Sequence, residues 1–226
     1  MTGNADFELF ESILWEPDEG WFLLASHLER MQDGAQYFGF VYEERRLHEA
    51  LDELAATLDD QPYKVRLNLA ADGAVRTEAR TLTQDHIPDP LRIGLARHSI
   101  RSDDPLILYK TTDRTPYNEA KATRPDCEDV LLWNEREELT ETTRANLIVR
   151  LDDERVTPPL SSGLLNGTFR QWLIDQGELR ERVLKIDEIE RFETMWLISS
   201  IRRWYGVEWV PLESRPSALE SAPEAP

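Results

Sequence analysis

The stretch Leu106-Ile107-Leu108-Tyr109-Lys110-Thr111-Thr112-Asp113-Arg114-Thr115-Pro116-Tyr117 runs from apolar residues straight into a lysine. Leu106 to Tyr109 read as a short strand, and an ammonium at the end of a buried strand is costly unless it is paired or chemically engaged. Lys110 is therefore the first candidate for chemistry. Pro116 suits the first turn of a helix opening at Thr115. Further on, Glu141 leads Glu141-Thr142-Thr143-Arg144-Ala145-Asn146-Leu147-Ile148-Val149, a carboxylate entering a strand. Beyond it, Leu164-Leu165-Asn166-Gly167-Thr168-Phe169-Arg170 is a glycine turn entering a helix. Backbone N–H groups at such an entrance, together with the positive end of the helix dipole, suit a phosphate.

Upstream, residues 7 to 15 (FELFESILW) carry apolar side chains on both alternating faces and predict a strand covered on both sides. Pro17 to Gly20 form a turn, Trp21 to Leu24 a short returning strand, and Ser26-His27-Leu28-Glu29 reads as a capping box opening a helix. Leu28, Met31, Ala35 and Phe38 make that helix amphipathic, with His27, Arg30 and Gly34 on another flank. Leu47, Leu51, Leu54 and Leu58 predict a second helix. Val65 to Leu69 and Val75 to Leu82, joined through Asp72-Gly73, form a hairpin. Residues 1–84 thus read as a small N-terminal α+β domain.

Residues 85–90, with His86 and two prolines, have no apolar periodicity and read as a linker. Residues 91–212 form a larger domain. Its strands are expected at 92–96, 129–133, 146–151, 155–157, 195–199 and 207–210, and helices at 167–174 and 186–192. The tail 213–226, rich in Pro, Ser, Ala and Glu, is expected to be disordered.

Composition narrows the chemistry. Asp and Glu outnumber Lys and Arg by 44 to 26 in 226 residues, a net charge of −18, so nucleic acid is an unsuitable partner. Any anionic ligand needs a local cluster of Arg, Lys and backbone N–H groups. No uncharged apolar run approaches the length of a membrane span, and the first residues lack the pattern of a signal peptide. Cys127 is the only cysteine, which fits a reducing cytoplasm. The four histidines and this cysteine show no metal-ligand spacing. Nucleophile-elbow, Walker A and dinucleotide-fingerprint motifs are absent from the sequence.

Four blocks in order carry a resemblance: His27-x-x-Arg30 with Gln36-Tyr37-Phe38-Gly39-Phe40; Lys110-Thr-Thr-x-Arg114-x-x-Tyr117; Leu139-Thr140-Glu141-Thr142-Thr143-x-x-Asn146; and Leu165-Asn166-Gly167-x-x-Arg170. With these the chain, over about residues 7 to 211, resembles the class IV aminotransferases, the fold type IV enzymes of pyridoxal 5'-phosphate (PLP). Within them it most resembles the aminodeoxychorismate lyases. The resemblance implies an α+β and α/β, two-domain, D-amino acid aminotransferase-like fold, here with a trimmed N-terminal domain.

It also implies roles. Lys110 bonds the cofactor aldehyde and then carries the proton. Glu141 faces the pyridine nitrogen and keeps it protonated. Arg30 grips the phosphate, with the backbone of Thr168 and Phe169 and a hydroxyl from Ser199 or Ser200. Leu165 packs on the ring, and Asn146 belongs to the cofactor set. Arg114 or Tyr117 lies near the phenolic oxygen or the substrate carboxylates, both roles open to either, and Arg101 joins Arg114 in holding a dianionic substrate.

The implied activity is a lyase giving para-aminobenzoate and pyruvate, in a cytoplasmic homodimer. The alternatives are a transaminase for branched-chain or D-amino acids, and an inactive partner of the aminodeoxychorismate synthase subunit. One departure stands out: the turn before Glu141, Asn134-Glu135-Arg136-Glu137-Glu138, lacks the glycine usual there.

Overall fold

The computed structural model describes residues 6–83 and 87–211. Its chain divides into two units, Met1–Ile87 with Tyr109–Asp113, and Pro88–Leu108 with Arg114–Pro226. In the first unit β1 (Leu9–Glu16) turns back on the two-residue β2 (Gly20–Trp21). It also pairs antiparallel along its length with β3 (Tyr63–Leu69), to which β4 (Val75–Thr81) adds the fourth strand. Side chains alternate across β1, so Leu9, Glu11 and Ile13 share one face and Phe10, Ser12 and Leu14 the other.

Leu9 and Ile13 join Val65, Leu67 and Leu69 of β3 in a core with Leu28, Met31 and Ala35 of α1 (Leu24–Phe38) and Leu47 and Leu51 of α2 (Glu44–Ala55). Burying each such aliphatic side chain contributes roughly 2 kcal/mol. The capping box does not form: α1 begins before Ser26, behind Leu23 at φ 54, with no side-chain cap. Leu58 lies beyond the end of α2, packing against the core from the following loop.

The second unit is a closed sheet. Its strands are β5 (Leu91–Leu95), β6 (Asp129–Trp133), β7 (Leu139–Thr142), β8 (Asn146–Leu151), β9 (Glu154–Thr157), β10 (Arg180–Glu181), β11 (Thr194–Ser199) and β12 (Arg203–Trp209). Following hydrogen-bonded neighbours from β8 through β11, β12, β5, β6 and β7 returns to β8, while β9 and β10 extend from it. Closure leaves those six strands without an open edge. Every residue of β6 and β7 is buried, which is why Val130-Leu131-Leu132 is an unbroken apolar run.

Short helices α3 (Pro105–Leu108), α4 (Thr115–Ala122) and α5 (Thr168–Asp175) occupy connections between strands. The expected strand Leu106–Tyr109 is therefore wrong, because Asp104 and Pro105 begin a helical turn. Asp104 accepts from the N–H of Leu106 on its side chain and from the N–H groups of Ile107 and Leu108 on its carbonyl. Residues 186–191 form a 3₁₀ helix. In the turn before Glu141, Glu137 itself adopts φ 60, the conformation for which glycine was expected.

The sequence reading put all of 91–212 in one domain, whereas Tyr109–Asp113 pack with the first unit. Their backbone finds its partners on β1. Residues 85 and 86 of the expected linker, among them His86, and the tail 213–226 lie outside the described residues.

Candidate active site

In the first unit, Lys110 is held by a strap along β1. The N–H of Phe10 donates to the Lys110 carbonyl at 3.0 Å, the N–H of Thr112 donates to the Glu8 carbonyl at 2.7 Å, and Leu9 bridges Thr111 antiparallel. Lys110 thus stands opposite Phe10 and projects to the same face. Its Nζ lies 4.8 Å from the centre of the Phe10 ring, which also receives the Arg66 guanidinium at 4.0 Å. The lysine is placed by cross-strand pairing, not by the end of its own strand.

On the other face of β1, Glu11 is fully buried. Arg30, from α1, donates through Nε to Oε1 at 2.8 Å and through Nη2 to Oε2 at 2.6 Å. His27 Nδ1 lies 2.7 Å from Oε2. Burial works against the charged form of Glu11, but Arg30 and then His27 outweigh it and bring its pKa down to about 2. Burial also lowers the pKa of His27; Glu11 opposes this, and Arg30 and Lys110 reinforce it. A neutral imidazole beside a carboxylate carries its proton on Nδ1 and donates it. Reading the sequence missed Glu11, although an acid centred in an apolar strand is itself the signal of a buried partner.

In the second unit the geometry centres on Glu141, in β7 and 3 % exposed. Its Oε1 accepts the Tyr117 hydroxyl at 2.9 Å and the Leu165 N–H at 3.1 Å, and its Oε2 accepts Asn146 Nδ2 at 3.0 Å. Asn146 faces Glu141 across β7 and β8 and also donates to the Leu165 carbonyl at 3.0 Å. Tyr117 comes from α4, with the Ile107 carbonyl 3.2 Å from its hydroxyl. Burial, and then the Glu141 charge, push its pKa well above 10, so it remains a proton donor. Arg114 lies over the Tyr117 ring at 4.0 Å and donates through Nη2 to the Thr143 carbonyl.

The same cluster reaches the entrance of α5. A Cβ added at Gly167 would collide with Oδ1 of Asn146, so a larger residue there would have to displace the Asn146 amide. Gly167 offers the helix no side-chain cap, and Thr168 and Phe169 behind it are buried. Ser199 ends β11, its hydroxyl accepting the Arg202 N–H at 3.2 Å, and Ser200 is buried in the turn that follows.

Tyr117, Glu141, Asn146 and Leu165 are thus one hydrogen-bonded group, with Arg114 stacked on it. Lys110 and Arg30 both belong to the first unit, and the charges of both bear on His27. Arg101 is joined to none of these: its side chain is 80 % exposed and bound to Asp103 at 3.1 and 3.2 Å.

The sequence matches the family Amino-transferase class IV over residues 8–209. The chain belongs to that family. Class IV aminotransferases are PLP-dependent enzymes, and the sequence-based assignment of family and fold type stands. A Schizosaccharomyces pombe protein named "Putative aminodeoxychorismate lyase" is 31% identical over 208 residues, covering 86% of each chain.

A structure from Mesorhizobium loti, described as a "Putative amino-acid aminotransferase", superposes with a TM-score of 0.81 at 28% identity, over 91% of this chain and 100% of that one. The 4-amino-4-deoxychorismate lyase of Pseudomonas aeruginosa shares the fold, with a TM-score of 0.71 at 20% identity over 89% of this chain and 82% of that one. Among the described residues, no helix is long and apolar enough to cross a membrane.

Proposed function

We propose that this class IV enzyme is a 4-amino-4-deoxychorismate lyase releasing para-aminobenzoate and pyruvate. One observation carries its cofactor chemistry: Glu141 is buried and accepts hydrogen bonds from neutral donors, among them the Tyr117 hydroxyl, the Leu165 N–H and the Asn146 amide. Neutral donors fix the orientation of a carboxylate without cancelling its charge. That is what holding a proton on a pyridine nitrogen requires. The glycine turn entering α5, whose start has no side-chain cap hydrogen bond, suits a phosphate, so the residues present fit PLP.

Bound, PLP supplies an electron sink for a carbon deprotonated next to an amine. Lys110 would hold the cofactor aldehyde until the substrate amine displaces it, and its freed Nζ would be the base for the proton on the amine-bearing ring carbon of the substrate. Glu141 would keep the pyridine nitrogen protonated, and Tyr117 and Asn146 hold Glu141 in place for it. Arg30, the N–H groups of Thr168 and Phe169, and a hydroxyl of Ser199 or Ser200 would hold the phosphate, and Leu165 would cover the ring. Arg114 remains the candidate for a substrate carboxylate. Arg101, bound to Asp103 and exposed to solvent, is the weaker one.

The Schizosaccharomyces pombe relative favours the lyase reaction. The Mesorhizobium loti structure favours a second reading, amino transfer between amino acids and 2-oxo acids, with the same lysine and glutamate. The test is direct. Borohydride reduction of the holoprotein followed by peptide mapping is expected to find the cofactor on Lys110, and 4-amino-4-deoxychorismate is expected to yield pyruvate. Steady amino transfer to 2-oxoglutarate without pyruvate release would establish the second reading, and a modified lysine elsewhere would refute the assignment of Lys110. Sedimentation of the same preparation checks the homodimer that accompanies this proposal.

A further inference from the structure

Glu11 has no part in the scheme above, yet it is the fully buried carboxylate to which both polar residues of the His27-x-x-Arg30 block are joined. Residues three apart on a helix share a flank, so α1 presents His27 and Arg30 together to one residue of β1. Arg30 meets Glu11 edge to edge, Nε on Oε1 at 2.8 Å and Nη2 on Oε2 at 2.6 Å. Two parallel bonds of this kind fix the plane of a guanidinium as well as its distance. His27, at 2.7 Å from Oε2, holds the carboxylate from a third direction.

A buried ion pair is a poor means of stabilising a strand, because desolvation opposes the Coulomb gain and apolar residues of similar volume do as well. What this arrangement supplies is orientation. We infer that Glu11, pinned by His27, is the positioning residue that sets the guanidinium of Arg30 for the phosphate of the cofactor. This rests on the reading that Arg30 takes that phosphate.

The test separates the phosphate from the rest of the cofactor. Wild-type apoprotein, Glu11→Gln and Glu11→Asp are titrated with PLP and with pyridoxal, which has the same aldehyde and ring but no phosphate, and binding is followed by absorbance. Wild type is expected to prefer PLP. Both variants are expected to lose about tenfold or more of that preference while their affinity for pyridoxal changes little.

Glu11→Asp keeps the buried charge but withdraws it by one methylene, so it gives a reading even where Glu11→Gln does not fold. Equal weakening of both aldehydes would show a merely structural carboxylate and overturn the proposal. So would an unchanged preference for PLP in the variants. A wild-type protein that binds neither compound would overturn the cofactor assignment and this inference with it.

Discussion

Glu11 and His27 make the first unit sensitive to acid. The folded pKa of Glu11 is about 2, against an ordinary 4.5, so its contribution is complete above 4.5 and disappears as pH falls from there toward 2. That difference corresponds to about 3 kcal/mol. His27 acts in the same sense from a higher pH: its folded pKa lies below 6.5, so the unfolded chain takes up a proton that the folded one refuses. Unfolding in denaturant from pH 7 to pH 3 is expected to show stability falling throughout, with Glu11→Gln flatter than wild type below pH 4.5. Parallel curves would show that Glu11 is not the titrating group.

Lys110, Glu141 and the Gly167 turn were legible as residues because an amine, an acid and a glycine stand at set places in four ordered blocks. Glu11 was not, since its meaning depends on which face of β1 meets α1. Tyr117 was legible as a site residue but not as the donor to Glu141, because that bond joins α4 to β7 across 24 residues of chain.

At the level of elements, the passage from β8 to α5 is the most constrained. Gly167→Ala would push a methyl group against Oδ1 of Asn146, the residue that bonds both Glu141 and the Leu165 carbonyl. A loss of roughly 1–3 kcal/mol in thermal unfolding is expected, with weaker PLP binding, since the methyl group would displace the Asn146 amide from its partners. Wild-type stability in this variant would show that Asn146 moves aside freely.

The elements easiest to find from sequence were those with a long period or a plain turn, such as α2 and the β3–β4 hairpin. The short segment 105–108 was not, because three apolar residues fit either a strand or a helical turn. Asp104-Pro105 decides between them, and only as a cap and first-turn pair. The ring of β5, β6, β7, β8, β11 and β12 was equally hidden. Each strand can be read singly, but the pairing of β7 with β8 that closes the ring is a property of register.

On the scale of the molecule, the net charge of −18 opposes the approach of anions, whatever a local cluster of cations does at close range. Added salt screens that opposition over about 10 Å at 0.1 M. Stopped-flow association of PLP with the apoprotein is therefore expected to quicken as salt rises toward 0.1 M. Slowing over that range would show that arginines and lysines near the site govern the encounter.

The chain also crosses three times between its units, leaving the first after Ile87, re-entering it at Tyr109 and leaving it again after Asp113. The amine assigned to the chemistry is thus numbered among residues of the closed sheet but built as part of the small unit. Recombination between two related genes at the codons for Ile87 and Pro88 would separate that amine from the strand that matches it. A chimera designed to keep each unit whole has to carry the five codons for residues 109–113 along with those for residues 1–87.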